Sequence, residues 1–321
     1  MNISLIIPTY NRPDALYACL SSLIKNTRLP DEILIIDQSA DEFFDKNKST
    51  IRELLGDNFH NINIKHEKVS FQSLTAARNY GIKNSSNEII VFSDDDIEYM
   101  DNTFCVVDSI FSNPEIAFAG AIDLLTPEQK FSPLSYFFDL KEINLFSKGY
   151  ITKGCLGRFP KKIKNITSTQ WGMGFCFALR KAYVLEGNIW FDENMRRYAY
   201  AEDLDFSMRY CRYLKKKGLK SIFKNDFCVK HHVSKEYRIP SAEFYLSYFG
   251  NRYYIIHKNC HKYRVLFFNL SNFGLKLVLM IRKKNEEIAV YNKAKRIFKS
   301  NKKRIANGEL DYQGMIAAWK E

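Results

Sequence analysis

The chain has 321 residues, 46% of them hydrophobic and 15% aromatic, and a formal net charge of +12. That apolar content supports a large core and excludes a chain disordered over most of its length. Its seven cysteines form no CxxC spacing, so they read as reduced, buried thiols of a cytosolic protein rather than a disulfide framework or zinc site.

The opening stretch, MNISLIIPTYNR, has no basic segment ahead of its apolar run and reads as a strand, not a signal peptide. ISLIIPTY (3–10) is continuous and β-branched, the pattern of a strand buried on both faces of a parallel sheet. Leu16, Leu20, Leu23 and Ile24 follow at helical spacing. DEILIIDQS (31–39) predicts a second strand, IRELLGD a helix, and INIKHEK a third strand. LTAARNYGIKNS predicts a helix and EIIVFSDDD a fourth strand. The alternation predicts an open, mostly parallel α/β sheet flanked by helices. Ligands bind such sheets outside the carboxyl ends of the strands. PTYNR, IDQS and SDDD are therefore expected to converge on one crevice.

Asp94, Asp95 and Asp96 stand side by side at the end of the fourth strand. Adjacent carboxylates raise one another's pKa, so something must compensate. A helix N-terminus would do so. At the end of a buried strand a divalent cation does it better. Mg²⁺ or Mn²⁺ takes oxygen ligands, and such ions are commonly shared with a substrate diphosphate.

FAGAIDLL (118–125) predicts another strand. The aromatic and basic stretch from Phe131 to Asn165 has no clear period and reads as a mobile loop over the site. STQWGMGFCFALRKAYVLEG predicts a strand, then a helix. YAEDLDFSMRYCRYLKKKG predicts an amphipathic helix with Leu204, Met208, Cys211 and Leu214 on one face, ending near Gly218. Glu202 and Asp203 open it. They are ordinary first-turn acids, or a general base if one reaches an acceptor hydroxyl. KSIFKNDFCVKHHVS predicts two short strands about a turn at Asn225–Asp226. Strand alternation lets only one of His231 and His232 face inward.

From about residue 240 the chain reads as helical, aromatic and basic. VLFFNLSNFGLKLVLMI (265–281) is interrupted by Asn269, Ser271, Asn272 and Lys276, and reads as too short and too polar for a membrane span. Leu266, Leu270, Phe273, Leu277 and Met280 fall near helical spacing, with Lys276, Arg282, Lys283 and Lys284 on or near the flanks. Such a face packs on the protein or on a second subunit of a homo-oligomer, or lies on an anionic membrane surface.

The ordered set SLIIPTYNRPDALYACLSSL, EILIIDQS, LTAARNYGI and VFSDDD resembles the nucleotide-binding half of the family 2 inverting glycosyltransferases, which have the GT-A fold. WGMGFCFALRK and FDENMRRYAYAEDLDFSMR resemble that family's acceptor-side half. The resemblance covers residues 1–235, as a donor half (1–100) and an acceptor half (101–235), and leaves 236–321 as a helical, basic C-terminal extension. It implies that Pro8, Thr9 and Tyr10 shape the base pocket, with Arg12 on the donor side. It implies that Asp37 bonds the pyrimidine ring and that Arg78 lies near the base or phosphates. Asp94 or Asp95 would meet the ribose, and Asp96 the metal, Mn²⁺ or Mg²⁺. Asp203 would be the catalytic base with Glu202 beside it, and Trp171, Gly172, Met173 and Gly174 would line the acceptor or sugar pocket. Val229, His231 and Ser234 fit a V-x-H-x-x-S pattern, which makes His231 the contact to metal or phosphate.

Two departures stand out. Ser93 occupies a position where the commoner D-x-D-D pattern has an acid, which leaves the ribose contact open. The QxxRW motif and membrane spans of the processive synthases are missing, which implies transfer of a single sugar. The implied donor is a nucleotide sugar, UDP-hexose first and dTDP-rhamnose second. The implied acceptor is a lipid-linked oligosaccharide of a bacterial capsule or surface glycan, met in the cytoplasm at the inner face of the membrane. A sugar nucleotidyltransferase would need a Gly-rich loop after the first strand, and IPTYNRPDA contains no glycine. A non-catalytic, basic membrane- or RNA-binding protein would account for the tail. It would not account for convergent acids that repel phosphate, so no nucleic-acid partner is expected.

Overall fold

Seven consecutive buried residues, Ile3–Thr9, form β1 at the middle of the donor half. The structure is a computed structural model. It describes residues 1–56, 61–126, 133, 137, 138, 140, 148–160, 163–196, 199–233 and 240–321. β1 pairs in parallel with β2 (Glu32–Asp37) and β4 (Ile89–Ser93), and β2 pairs in parallel with β3 (Asn63–Lys68). Strands buried on both faces have to be apolar throughout, and all of β1, β2 and β4 is buried. Helices α1 (Pro13–Leu23), α2 (Asp41–Leu55) and α3 (Leu74–Asn84) connect them. Pro13 opens α1, where its missing N–H costs nothing. Ser73 caps α3 by accepting from the Ala76 N–H.

The acceptor half adds β5 (Ile97–Tyr99), α4 (Thr103–Phe111), β6 (Ile116–Asp123), β9 (Ile166–Ser168), β10 (Cys176–Arg180), α5 (Lys181–Glu186), α6 (Glu202–Lys216) and β11 (Lys220–His231). A small ribbon of β7 (Tyr150–Ile151) and β8 (Gly157–Arg158) lies apart. The main sheet runs β3-β2-β1-β4-β10-β6-β11-β5, with β9 on β11. It is the open, mostly parallel α/β sheet expected. β10 is the exception that matters, because it inserts antiparallel between β4 and β6. An antiparallel insertion sets the start of β10 against the end of β4. Cys176 faces Ser93, and the Asp94 N–H donates to the Phe175 carbonyl at 2.9 Å.

Three expectations are corrected. β11 is one strand whose register shifts between Phe223 and Cys228, so Asn225 and Asp226 belong to an irregularity within it rather than to a turn. Cys105 is exposed, and Cys228 and Cys260 are partly so, against the expectation of uniformly buried thiols. Part of the stretch read as a loop is ordered as β7 and β8; much of the rest lies outside the described residues.

The C-terminal extension is helical, as α7 (Ser241–Asn259), α8 (Arg264–Ile281), α9 (Asn285–Ala306) and α10 (Tyr312–Lys320). Its Tyr245, Phe249, Tyr291 and Phe298 share a buried cluster with Ile151, Leu156, Trp171, Leu204 and Met208. The extension therefore continues the core of the acceptor half. The boundary expected at 235 falls in 234–239, outside the described residues.

Candidate active site

The carboxyl ends of β1, β2 and β4 meet the start of β10 and the end of β11, as the crevice argument requires. Thr9 donates its hydroxyl to Asp95 Oδ2 at 2.7 Å, and Arg12 Nη1 lies 3.1 Å from Asp95 Oδ1 and 3.4 Å from Asp96 Oδ2. Asp95 is buried. Burial pushes its carboxyl up to about 7, against the pull of Arg12 and the Thr9 hydroxyl and with the push of Asp96. It ties the triplet to β1 through Thr9.

Asp94 and Asp96 reach a third side chain. With His231 they form a group whose ligand atoms all lie within 4.8 Å of one another. The His231 ring stacks on Phe175 at 5.3 Å, and its Nε2 is 3.2 Å from Asp96 Oδ1. Burial would lower the imidazole pKa, but Asp96 and Asp94 more than offset this and raise it. His232 points away, with Nε2 2.7 Å from Glu98 Oε2. The inward histidine is thus the one expected. Ser234 of the same pattern lies outside the described residues. Two carboxylates and one imidazole are a suitable donor set for Mn²⁺, and Mg²⁺ would rely more on the oxygens.

Arg78 is fully buried. Nη1 donates to Glu202 Oε1 at 2.5 Å, and Nη2 donates to Asp94 Oδ1 at 3.0 Å and to the Gly174 carbonyl at 2.8 Å. One guanidinium fork joins the end of β4, the entry to β10 and the start of α6. Burial opposes its charge, and Glu202 and Asp94 restore it.

Glu202 and Asp203 open α6 after Ala201, whose left-handed φ of 64° turns the chain into the helix. Glu202 is buried against Arg78; Asp203 is half-buried. Asp203 Oδ2 accepts the Gly174 N–H and Oδ1 the Leu204 N–H, both at 2.7 Å. Burial raises both carboxyls. Glu202 reaches about 8, lowered by Arg78 and raised by Asp203. Asp203 is also raised, while Arg78 and its two backbone N–H donors hold it down. Neighbouring carboxylates in unlike surroundings divide the roles: Glu202 is fixed by Arg78, and Asp203 is the more open of the two.

Of the donor-side residues, Pro8 is buried within β1 and Tyr10 is half-buried just past it. Asp37 has no surface open to solvent. Its carboxylate accepts from Asn47 Nδ2 at 2.7 Å and from the Ser39 N–H at 2.9 Å, with His66 Nε2 at 2.9 Å. It therefore holds Ser39, Asn47 and His66 together at the carboxyl end of β2. His66 and the Phe44 ring stacked on it at 4.4 Å were not foreseen. The available signal was His66 near the carboxyl end of β3. Of WGMG, Gly174 and the half-buried Met173 reach the site. Trp171 and Gly172 are core: the indole N–H donates to the Arg158 carbonyl, and a Cβ on Gly172 would meet the Phe118 ring.

The profile of glycosyl transferase family 2 matches residues 4–185, more than half of the chain. The chain belongs to glycosyl transferase family 2. It is 31% identical over 166 residues to the uncharacterized glycosyltransferase YwdF of Bacillus subtilis (strain 168), covering 49% of this chain and 58% of that protein. Among solved structures, it resembles the mannosyltransferase PcManGT of Pyrobaculum calidifontis in complex with GDP-Man and Mn²⁺, with a TM-score of 0.53, 12% identity, and coverage of 99% of this chain and 79% of that one. GalNAc-T7 with UDP, GalNAc and Mn²⁺ gives a TM-score of 0.56 at 15% identity over 80% of this chain and 51% of that one. S. aureus TarS gives 0.51 at 15% identity over 87% of this chain and 44% of that one. At these identities the likeness is one of fold, the GT-A fold.

Proposed function

We propose that this family 2 member transfers one sugar from a nucleoside-diphosphate sugar to an acceptor hydroxyl with inversion, using Asp203 as the base. The observation that carries the reading is the pair of hydrogen bonds that Arg78 donates, to Asp94 on the donor side and to Glu202, beside Asp203, on the acceptor side. It sets the cation-ligand group and the candidate base one guanidinium apart. The acceptor oxygen attacks the anomeric carbon as Asp203 takes its proton, and the bond to the diphosphate oxygen breaks in line. Asp94, Asp96 and His231 would hold Mn²⁺ or Mg²⁺, which when bound neutralises charge on the departing diphosphate. No protein acid is then needed on the leaving group, unlike in a glycoside hydrolase pair.

UDP-hexose is the donor we favour, with dTDP-rhamnose second. The stacked Phe44 and His66 lie at the end of the sheet where a base would sit. TarS and GalNAc-T7, which share the fold, have structures with UDP-GlcNAc and with UDP. The acceptor we favour is a growing, lipid-linked surface glycan at the cytoplasmic side of the membrane. A thermal-shift panel of nucleotide sugars, with and without Mn²⁺, tests the donor reading. A ligand at a hundredfold excess over its Kd stabilises by about 2.7 kcal/mol, so one nucleotide family should raise Tm in Mn²⁺ and not in chelator. A panel in which no nucleotide sugar moves Tm overturns it.

A further inference from the structure

Helix α8 is apolar on both sides. Its inward side packs Phe268 and Leu279 into the core and also carries Ser271 and Asn272, both buried. They accept from a fully buried arginine: Arg252 Nη1 donates to Asn272 Oδ1 at 2.9 Å and Nη2 to Ser271 Oγ at 2.8 Å. Arg252 also donates through Nε and Nη2 to the Gly154 carbonyl, and its guanidinium lies over the rings of Tyr248 and Phe268. The outward side is apolar. Leu266, Phe273 and Met280 are 69%, 57% and 54% exposed. With Leu270 between them, they follow at intervals that keep one line along the helix. Phe137, 72% exposed, extends the patch through Phe138, whose ring meets Phe273 at 5.9 Å. A surface helix of a protein surrounded only by water keeps its outward face polar.

Charge around the stripe selects what covers it. No acidic residue occurs between Glu243 and Glu286. Exposed Arg282, Lys283 and Lys284 follow the helix, and exposed Lys262 precedes it. Lys153 places its ammonium over Phe267 near the start of the helix, and Lys276 is half-buried on the flank. A second copy offering the same patch would bring cations against cations at both ends. An anionic lipid surface would neutralise them. By length and composition α8 could also cross a bilayer, and 28% of it is buried. Pulling it out to span would uncover Arg252, which its polar side covers.

We propose that the outer face of α8 seats this protein on an anionic bilayer, with the helix axis in the headgroup plane and its apolar stripe among the acyl chains. The inference is independent of which donor the crevice binds. The test is co-sedimentation of the full chain with phosphatidylcholine vesicles, with and without phosphatidylglycerol, and with no nucleotide sugar present. The variants are L266E/F273E, which charges the stripe, and R282E/K283E/K284E, which reverses one end. All five positions are exposed, and circular dichroism with Mn²⁺ calorimetry reports whether each variant keeps its fold. The wild type is expected to bind the anionic vesicles and to leave them at high salt. L266E/F273E should partition at least about tenfold less, and the triple reversal on the order of a hundredfold less. Equal sedimentation with and without phosphatidylglycerol overturns the proposal. So does a folded L266E/F273E that binds like the wild type. A wild-type dimer that L266E/F273E splits, with no vesicle binding, assigns the stripe to an interface between copies and also overturns it.

Discussion

The Arg78 guanidinium donates to Glu202 across 124 residues of sequence, and the same guanidinium holds Asp94 and the Gly174 carbonyl. Three segments that carry the candidate chemistry are thus registered by one buried cation. Removing it leaves Glu202, Asp94 and the Gly174 carbonyl without their shared donor. A buried polar group left unsatisfied costs about 1–3 kcal/mol, so Arg78→Met should lower unfolding free energy by at least that order in urea titrations. Arg78→Lys should recover only part, because an ammonium lacks the planar fork. Unchanged stability in Arg78→Met would remove the bridging role.

Asp203→Asn removes the proton acceptor and keeps the shape. Donor binding by calorimetry should stay within about twofold of wild type, while single-turnover transfer falls by roughly 10²–10⁴-fold. A loss smaller than about tenfold would mean that another group takes the proton.

The raised Asp203 carboxyl also fixes the sign of a pH effect. Burial lifts it above 3.8, against Arg78 and two backbone donors. A base works in its ionised form, so transfer is present above the folded pKa and is lost as pH falls through it. The profile of kcat/KM against pH should show an acid limb above 3.8, absent from the residual activity of Asp203→Asn. An acid limb at or below 3.8 would contradict the burial argument.

The two adjacent histidines should separate in Mn²⁺ calorimetry. His231 belongs to the compact group with Asp94 and Asp96, and His232 pairs with Glu98 outside it. Loss of an inner ligand should weaken Mn²⁺ at least about tenfold in His231→Ala, with His232→Ala close to wild type. The reverse order would place the cation elsewhere.

The donor half was legible because β1, β2 and β4 are buried on both faces and cannot disguise their apolar runs. The Asp94–Asp96 triplet was legible as adjacent acids at the end of a buried strand; strand alternation required one inward histidine, and the resemblance named His231. β10 was visible as a strand but not as an antiparallel one, since CFALR is equally apolar in either direction. That hidden insertion is what brings Gly174 and Phe175 to Asp94. The role of Arg78 was hidden for the same reason: its partners lie 16, 96 and 124 residues away, and no local pattern encodes them. Trp171 was expected in the pocket because the resemblance placed WGMG there, and a tryptophan suits a sugar face as well as a core. Burial decided for the core. The stripe on α8 was legible as a stripe, but only the inward placement of Ser271 and Asn272 around Arg252 shows which side it faces.

Asp37 ends β2, and its ionisation should be visible in folding stability. Burial would raise its carboxyl, but His66, Ser39 and Asn47 hold it below 3.8. The folded pKa therefore lies below the unfolded one. The stabilisation is complete above the unfolded value and is lost as pH falls through the folded value. Asp37→Asn removes the charge and the bond to His66, and replaces an acceptor with an amide facing the Ser39 N–H or the Asn47 amide. Hydrogen bonds to a buried charged group are worth about 1.5–3 kcal/mol each, and at least one is lost. Urea titrations at neutral pH should show the variant less stable by about that amount. The gap should narrow as pH is lowered below 3.8, because the wild-type carboxylate then begins to protonate. A gap that stays constant from neutral pH to below that value would mean that the contribution of Asp37 is one of shape alone, and that its charge does not organise His66 and Asn47.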